Sequence, residues 1–223
     1  MSHMTHVVAL PGDIEPDKLQ ARLDEAMSRF DENLEMPLHR DISVYAETYA
    51  AQLAKAKASN RDNWTEGLTD DQIVEQWNGQ ATFDADGWPL TTSNPDGHWD
   101  YWRVGGRWAG AWVLKPDADN GPLQAGDNWD APPAPEHDRI ATDCARKNAI
   151  EAESITPTYS WLDLDGQWHT KWIGPTREEA IGNGPMGDTS HWERNDDELH
   201  AEFLTFLAAL PADTWLIHID YHS

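Results

Sequence analysis

The sequence predicts an α+β fold in which an antiparallel sheet carries helices packed on one face. Several segments place apolar residues at the spacing of an amphipathic helix. Short apolar or alternating runs, bounded by Gly, Pro and Asp, are typical of strands. Because the order is strand, helices, central strands, hairpin, helix, strand, we expect a ferredoxin-like sandwich with insertions.

The first half of the chain is predicted to contain one strand and three helices. The strand is expected at residues 5–10 and the helices at residues 17 to about 34, 44–58 and 69 to about 78. Thr69, with Gln72 three positions later, is a capping-box signature for the start of the third helix. Trp77 of that helix is expected to face inward.

The second half mixes extended and helical segments. The predicted elements are a strand at residues 107–114, a short helix at 138–153, a hairpin at 158–172, a helix at 196–210 and a strand at 215–222. Asp165-Gly166 is the strongest hairpin signal, because both residue types accept the positive φ of a tight turn.

The domain organisation is predicted from length and composition. Residues 1–4 resemble a cloning remnant, so His3 is set aside. Residues 5–223 are expected to form a single domain, with a helical insertion at about 41–80 and a long loop at about 115–137. Neither an internal repeat nor a linker between independent domains is recognisable.

The chain is strongly acidic and rich in tryptophan. Its formal net charge is -24, from 40 acidic and 16 basic residues, which disfavours nucleic acid as a partner and favours basic partners. DNA mimicry is a further reading of this charge. The 13 Trp indicate a folded chain, since disordered acidic segments contain few aromatic residues.

Cysteine usage and hydropathy indicate a cytoplasmic protein. Cys144 is the only cysteine, so no internal disulfide and no thiolate metal cluster can form. The sequence has no apolar run near the ~18 residues that a membrane-spanning helix requires. We therefore expect no membrane association.

The central stretch, residues 94–112, places several tryptophans around the Gly-Gly-Arg turn, which is Gly105-Gly106-Arg107. One interpretation is a packed corner of the core, since most aromatic clusters are packing. The other is a pocket for a small anionic ligand such as a nucleotide, because a guanidinium between aromatic rings can stack and bind anions. The candidate ligand-binding residues are Trp99, Asp100, Trp102, Arg107 and Trp108.

The closing strand carries a weaker candidate site for a divalent metal such as zinc or iron. His218, Asp220 and His222 alternate, so they share one face of a strand. Two imidazoles and a carboxylate are suitable metal ligands, and His169 is a candidate to complete the set. The alternative is that this face is solvent-exposed while the intervening residues pack inward, as in a half-buried strand.

The central stretch also carries a family resemblance. Asn94-Pro95, Trp99-Asp100-Tyr101-Trp102 and Val104-Gly105-Gly106-Arg107-Trp108 resemble the signature of an uncharacterised family found in bacteriophages, actinobacteria and other bacteria. Tyr101 and Trp102 stand in swapped order relative to that signature. The resemblance implies a phage or prophage setting, and it implies no catalytic residues.

Three hypotheses about function follow, and whether the protein is an enzyme is left open. The first is an acidic phage-type accessory protein that binds a host or phage protein. The second is a protein or enzyme that binds a small anionic ligand or a metal at the Gly-Gly-Arg turn. The third is a DNA mimic. The sequence contains neither a Gly-x-Ser-x-Gly elbow nor a His-Glu-x-x-His helix.

Overall fold

The computed structural model describes residues 3–43, 46–59, 63–79, 82–123, 140–172 and 194–222. The chain divides into two compact units. Among the described residues, unit 1 comprises 3–32, 96–123, 140–172 and 194–222, and unit 2 comprises those between 33 and 95. The helical insertion predicted at about 41–80 falls within unit 2.

The described part of the chain contains ten strands and four α-helices. They are β1 (His3–Leu10), α1 (Leu19–Ser28), β2 (His39–Arg40), α2 (Tyr49–Ala58), α3 (Asp70–Asn78), β3 (Leu90–Thr91), β4 (Tyr101–Val104), β5 (Trp112–Val113), β6 (Ala141–Thr142), β7 (Cys144–Arg146), β8 (Ser160–Leu162), β9 (Trp168–Thr170), α4 (Asp196–Ala209) and β10 (Trp215–His222). Short 3₁₀ turns lie at Pro16–Lys18, Gly106–Trp108, Lys147–Ala149 and Ala152–Ser154.

Unit 1 is built on one mixed sheet with the strand order β4-β10-β1-β8-β9, and β7 also pairs with β10. Strands β1 and β10 are antiparallel over their whole length, from His3↔His222 to Leu10↔Trp215. Strand β8 pairs with β1 in parallel. The α+β class with an open sheet is therefore confirmed, but one strand pair departs from the expected antiparallel arrangement. The ferredoxin-like detail is not confirmed.

Helices cover both faces of this sheet, although they were expected on one. Val8 and Leu10 of β1 pack with α1, and we call this side the α1 face. Val7 and Ala9 pack with α4 on the opposite side, the α4 face. Because the apolar run of β1 is continuous rather than alternating, both of its faces need a cover. Each fully buried Leu or Phe beneath these helices stabilises the fold by about 1.5–3 kcal/mol.

The prediction of a helix at residues 138–153 is wrong. The described part of this range forms β6, β7 and two 3₁₀ turns. Cys144 and Ala145 are fully buried and pair with Ile217 and Leu216 of β10. Pairing with β10 satisfies the backbone N–H and C=O groups of β7 and of that edge of β10. Helix propensity depends only on neighbours in sequence, so this tertiary contact overrides the local pattern.

Other predictions hold with shifted boundaries. Helix α1 ends at Ser28 rather than near residue 34, and the range 107–114 is a 3₁₀ turn followed by the short strand β5. The 158–172 hairpin, helix α4 and strand β10 are confirmed. The predicted long loop at about 115–137 lies outside the described residues from position 124 onward.

Unit 2 contains α2, α3 and the β2–β3 pair. Thr69 and Gln72 form the predicted capping box of α3, and Gly79 ends this helix in the left-handed conformation. The inward placement of Trp77 is wrong, because its side chain is 41% exposed and stacks on Trp64. The helix buries Ile73 and Val74 instead, whereas Trp77, one turn further along the same side, lies in the last turn of the helix.

Candidate functional site

Strand β10 is buried along its whole length. His218, Asp220 and His222 are only 5%, 2% and 8% exposed. These side chains do share a face, as the strand period predicts. The interpretation that this face is solvent-exposed is wrong, because the chain at residues 105–111 lies over it and hydrogen-bonds to it.

Asp220 supplies the carboxylate that the Gly-Gly-Arg turn binds. Its Oδ2 accepts from the backbone N–H of Arg107 at 3.0 Å, and its Oδ1 lies 2.9 Å from Nδ1 of His3. Gly105 and Gly106 have φ values of 67° and 54°, and a side chain at Gly106 would overlap Asp220. Turns of this kind bind anions. Here the acceptor is an aspartate of the same chain, so this amide is already occupied.

Asp143 fixes the end of the same segment. Both of its carboxylate oxygens lie 2.9 Å from the backbone nitrogen of Gly110, and Oδ1 also accepts from Ala111 N–H at 3.1 Å. Nδ1 of His218 is 3.7 Å from Oδ1, which is too long for a hydrogen bond. His218 instead lies edge-on to Trp112, with ring centroids 5.8 Å apart. The arrangement anchors the turn by its backbone.

The predicted metal ligands do not converge. His222 pairs with Asp100 at 2.5 Å, whereas Asp220 and His218 face other groups. His169 lies on β9, three strands from β10 in the sheet order, or roughly 14 Å at the usual strand spacing. Within the described ranges, no group of three or more His, Cys, Asp or Glu side chains is arranged to hold a metal ion.

The tryptophans of the central stretch separate between the two faces. Trp99 and Trp102 meet edge-on at 6.3 Å and pack on the α1 face, where the Trp99 indole N–H donates to the carbonyl of Met27. Trp112 is buried on the α4 face. Trp108 is 37% exposed. These rings are therefore mainly scaffold, and they do not gather with Asp100 and Arg107 around a single ligand.

A cleft of about 430 Å³ opens on the α4 face of unit 1, between the β8–β9 hairpin and helix α4. We call it the Trp161 cleft, and it is lined by Trp161, Asp163, His169, Ala201, Glu202, Thr205 and Phe206. Its volume lies within the range typical of ligand pockets, and most of its lining is apolar.

The aromatic rings of this cleft are held in fixed positions. The imidazole of His169 stacks on Trp161 with centroids 4.9 Å apart and planes 7° from parallel. Phe206 lies on the indole as well, at 5.9 Å. Trp161 is 2% exposed, and its indole N–H has no hydrogen-bond partner in the described part of the chain.

One polar pair sits at the edge of the Trp161 cleft. Nε2 of His169 lies 2.8 Å from Oδ2 of Asp163. The pKa of Asp163 is lowered: burial opposes the shift, but the hydrogen bonds from His169 and from the backbone N–H groups of Gln167 and Asp165 outweigh it. His169 was a predicted candidate metal ligand, whereas in the structure it contacts this aspartate and the face of the Trp161 indole.

A second cluster, on the α1 face, was missed from the sequence. His6 is fully buried, stacks on Trp168 at 4.0 Å, and has Nδ1 2.7 Å from the hydroxyl of Ser160. The hydroxyl of Tyr221 lies 3.3 Å from that of Ser160. Burial is the main cause that lowers the pKa of His6 well below its ordinary value, and His98 and His218 lower it further. A histidine inside an apolar strand run was the available signal.

Comparisons with protein-family models, with curated proteins and with solved structures found no match to this chain. The family resemblance of the central stretch stays a prediction. Among the described residues, no helix is long and apolar enough to cross a membrane.

Proposed function

We propose that this protein is a binding protein, and that its Trp161 cleft holds an aromatic or aliphatic side chain from a basic partner protein. The observation that supports this proposal is the cleft itself, a concave and mainly apolar surface with a rigid aromatic floor. Large apolar side chains seated in such pockets contribute most of the energy at protein interfaces. A host or phage protein, as the resemblance implies, is the partner we expect.

The floor of the cleft favours a flat or branched apolar group. The Trp161 indole is held between His169 and the phenyl rings of Phe203 and Phe206, so it does not need to reorganise on binding. A preorganised pocket loses little conformational entropy when a side chain enters.

The charge around the cleft favours a basic partner. Asp163 and Glu202 line it, and the first turn of α4 carries Asp196, Asp197 and Glu198. Some of these carboxylates are paired within the chain, as Glu202 is with Arg194. The whole chain has a net charge of -24, and such a field accelerates encounter with a positively charged surface.

The test uses short synthetic peptides in which one central Trp is flanked by Arg and Lys, with binding measured by calorimetry. We expect Ala201→Trp, which fills the cleft from the exposed side of α4, to weaken binding at least about 10-fold. Ala208→Trp is the matched control, because Ala208 is exposed on the same helix and does not line the cleft. Its binding should equal that of the unmodified protein.

Two further peptides separate the parts of the proposal. Replacing the central Trp by Ala tests the pocket, and replacing the basic residues by Glu tests the charge. Each change is expected to weaken binding by about 10-fold or more. Equal binding by the Ala201→Trp and Ala208→Trp proteins, or equal binding of all three peptides, would overturn the proposal.

A further inference from the structure

A small cavity in unit 2 has a lining unlike that of the Trp161 cleft. Its volume is about 180 Å³, below the usual range of pockets for drug-sized ligands, so it suits a single functional group. Asp41, Glu47, Gln52, Trp77 and Asn78 contribute to its wall. The wall is mainly polar, and the described residues that form it include no lysine or arginine.

Gln52 is the residue of this wall that points to a ligand. It lies on α2 and is 4% exposed. Its Nε2 donates to the carbonyl of Glu47 at 2.8 Å, which fixes the orientation of the amide. Its Oε1 is buried and has no hydrogen-bond partner among the described residues. A buried acceptor without a donor costs free energy, so a donor supplied from outside would be stabilised here.

The other polar groups of the wall also accept hydrogen bonds. One carboxylate oxygen of Asp41 accepts from the backbone N–H of Ser43 at 2.8 Å. The Glu47 carboxylate is paired with Lys55, whose ammonium group is not among the groups that line the cavity. A surface that combines carboxylates with an unsatisfied amide oxygen favours a ligand that carries several N–H donors and a positive charge.

Trp77 adds a flat aromatic surface beside these acceptors. Its side chain is 41% exposed and stacks on Trp64 with planes 8° from parallel, which holds the ring in place. Cations are attracted to the face of an indole, and a guanidinium can stack on the ring while its N–H groups donate sideways.

We propose that this cavity binds an organic cation, either a guanidinium or an alkylammonium group. Its acceptors would be Gln52 Oε1 and the Asp41 carboxylate, and the cation would lie against Trp77. The group can come from a free small molecule or from an arginine or lysine side chain of a protein. This inference is independent of the Trp161 cleft, because every residue that carries it belongs to unit 2.

Calorimetric titration with L-arginine and L-citrulline tests the charge directly. The two molecules have nearly the same shape, and only arginine carries the guanidinium. We expect arginine to bind at least about 10-fold more tightly than citrulline. Agmatine and L-lysine test the guanidinium and ammonium groups in small molecules, and an arginine-containing peptide tests a protein source. Glucose serves as a neutral polyol.

Variants with matched controls locate the site. Trp77→Ala and Asp41→Asn should each weaken arginine binding by about 5-fold or more. Trp108→Ala removes a similarly exposed indole from unit 1, and Glu66→Gln removes an exposed carboxylate of unit 2 outside the cavity. Both controls should bind within about 2-fold of the unmodified protein. Circular dichroism checks that each variant is folded.

Three outcomes would overturn the inference. They are equal affinity for arginine and citrulline, tighter binding of glucose than of arginine, and equal losses in Trp77→Ala and Trp108→Ala. An arginine-containing peptide can reach both sites, so Trp77→Ala assigns its binding to this cavity and Ala201→Trp assigns its binding to the Trp161 cleft. The small-molecule titrations and the unit 2 variants decide this inference, so its failure leaves the proposed function standing.

Discussion

On the α4 face of the sheet, Asp220 and Asp143 are buried together with backbone N–H groups that donate to them. On the α1 face, His6 is buried among aromatic rings, and its Nε2 has no hydrogen-bond partner in the described part of the chain. Carboxylates are therefore buried where a turn supplies donors, whereas the imidazole is buried in the form that needs fewest partners. The stability of the buried carboxylates therefore depends on backbone geometry, whereas that of the buried imidazole depends on pH.

The largest expected effect comes from placing a side chain between the Gly-Gly-Arg turn and Asp220. Gly106→Ala places a methyl group into the Asp220 side chain at a φ of 54°, so we expect a loss of at least about 3 kcal/mol in the free energy of unfolding. Gly166→Ala is the control in the same unit. Its φ is 76°, but the nearest atom is the end of the Arg29 side chain at 3.7 Å.

Urea denaturation measures both variants. The control should lose only the cost of a left-handed alanine, about 1–2 kcal/mol. If the two variants lost equal stability, the close approach of the turn to Asp220 would contribute nothing, and the contrast between the two faces would disappear.

A second pair of variants separates the backbone of Arg107 from its side chain. Arg107→Pro removes the N–H that donates to Asp220 and should cost about 1–3 kcal/mol more than Arg107→Ala, which keeps it. The arginine side chain is exposed, so Arg107→Ala should change the free energy of unfolding by less than about 1 kcal/mol. A larger loss in Arg107→Ala than in Arg107→Pro would show that the side chain, rather than the amide, holds the turn.

The fold was predictable where the signal is local. The capping box at Thr69, the Asp165-Gly166 hairpin and the apolar stripe of α4 each require only neighbours in sequence. The segment at Cys144–Arg146 was not predictable in this way, because its strand conformation depends on pairing with β10, some 70 positions away.

The candidate site was harder to predict, for the same reason. The sequence shows that His218, Asp220 and His222 share a face, but it does not show that the Gly-Gly-Arg turn covers that face. The Trp161 cleft requires α4 to pack beside the β8–β9 hairpin, a contact between distant segments. His169 was identified as a candidate residue, but its partners, Asp163 and an indole, came only from the fold.

The smallest effect concerns the histidine of the α1 face, and it depends on pH. Because burial lowers the pKa of His6, the unfolded chain takes up this proton near pH 6.5 while the native protein does not. The unfolded state then binds more protons, so the free energy of unfolding should fall by about 1 kcal/mol per pH unit as the pH drops below 6.5. His98, whose pKa is also lowered by burial, acts in the same direction.

His6→Phe keeps a ring to stack on Trp168 and removes the titrating group, so its stability should fall less steeply with acidification than that of the unmodified protein. The slope, measured by urea denaturation between neutral and mildly acidic pH, is the quantity to compare, since the substitution also removes the contact with Ser160 at every pH. His39→Phe, at a half-buried position in unit 2, is the control substitution. If the free energy of unfolding changed with pH equally in His6→Phe and in the unmodified protein, the surroundings of His6 would not keep its imidazole neutral. The α1 face would then not differ from the α4 face in its dependence on pH.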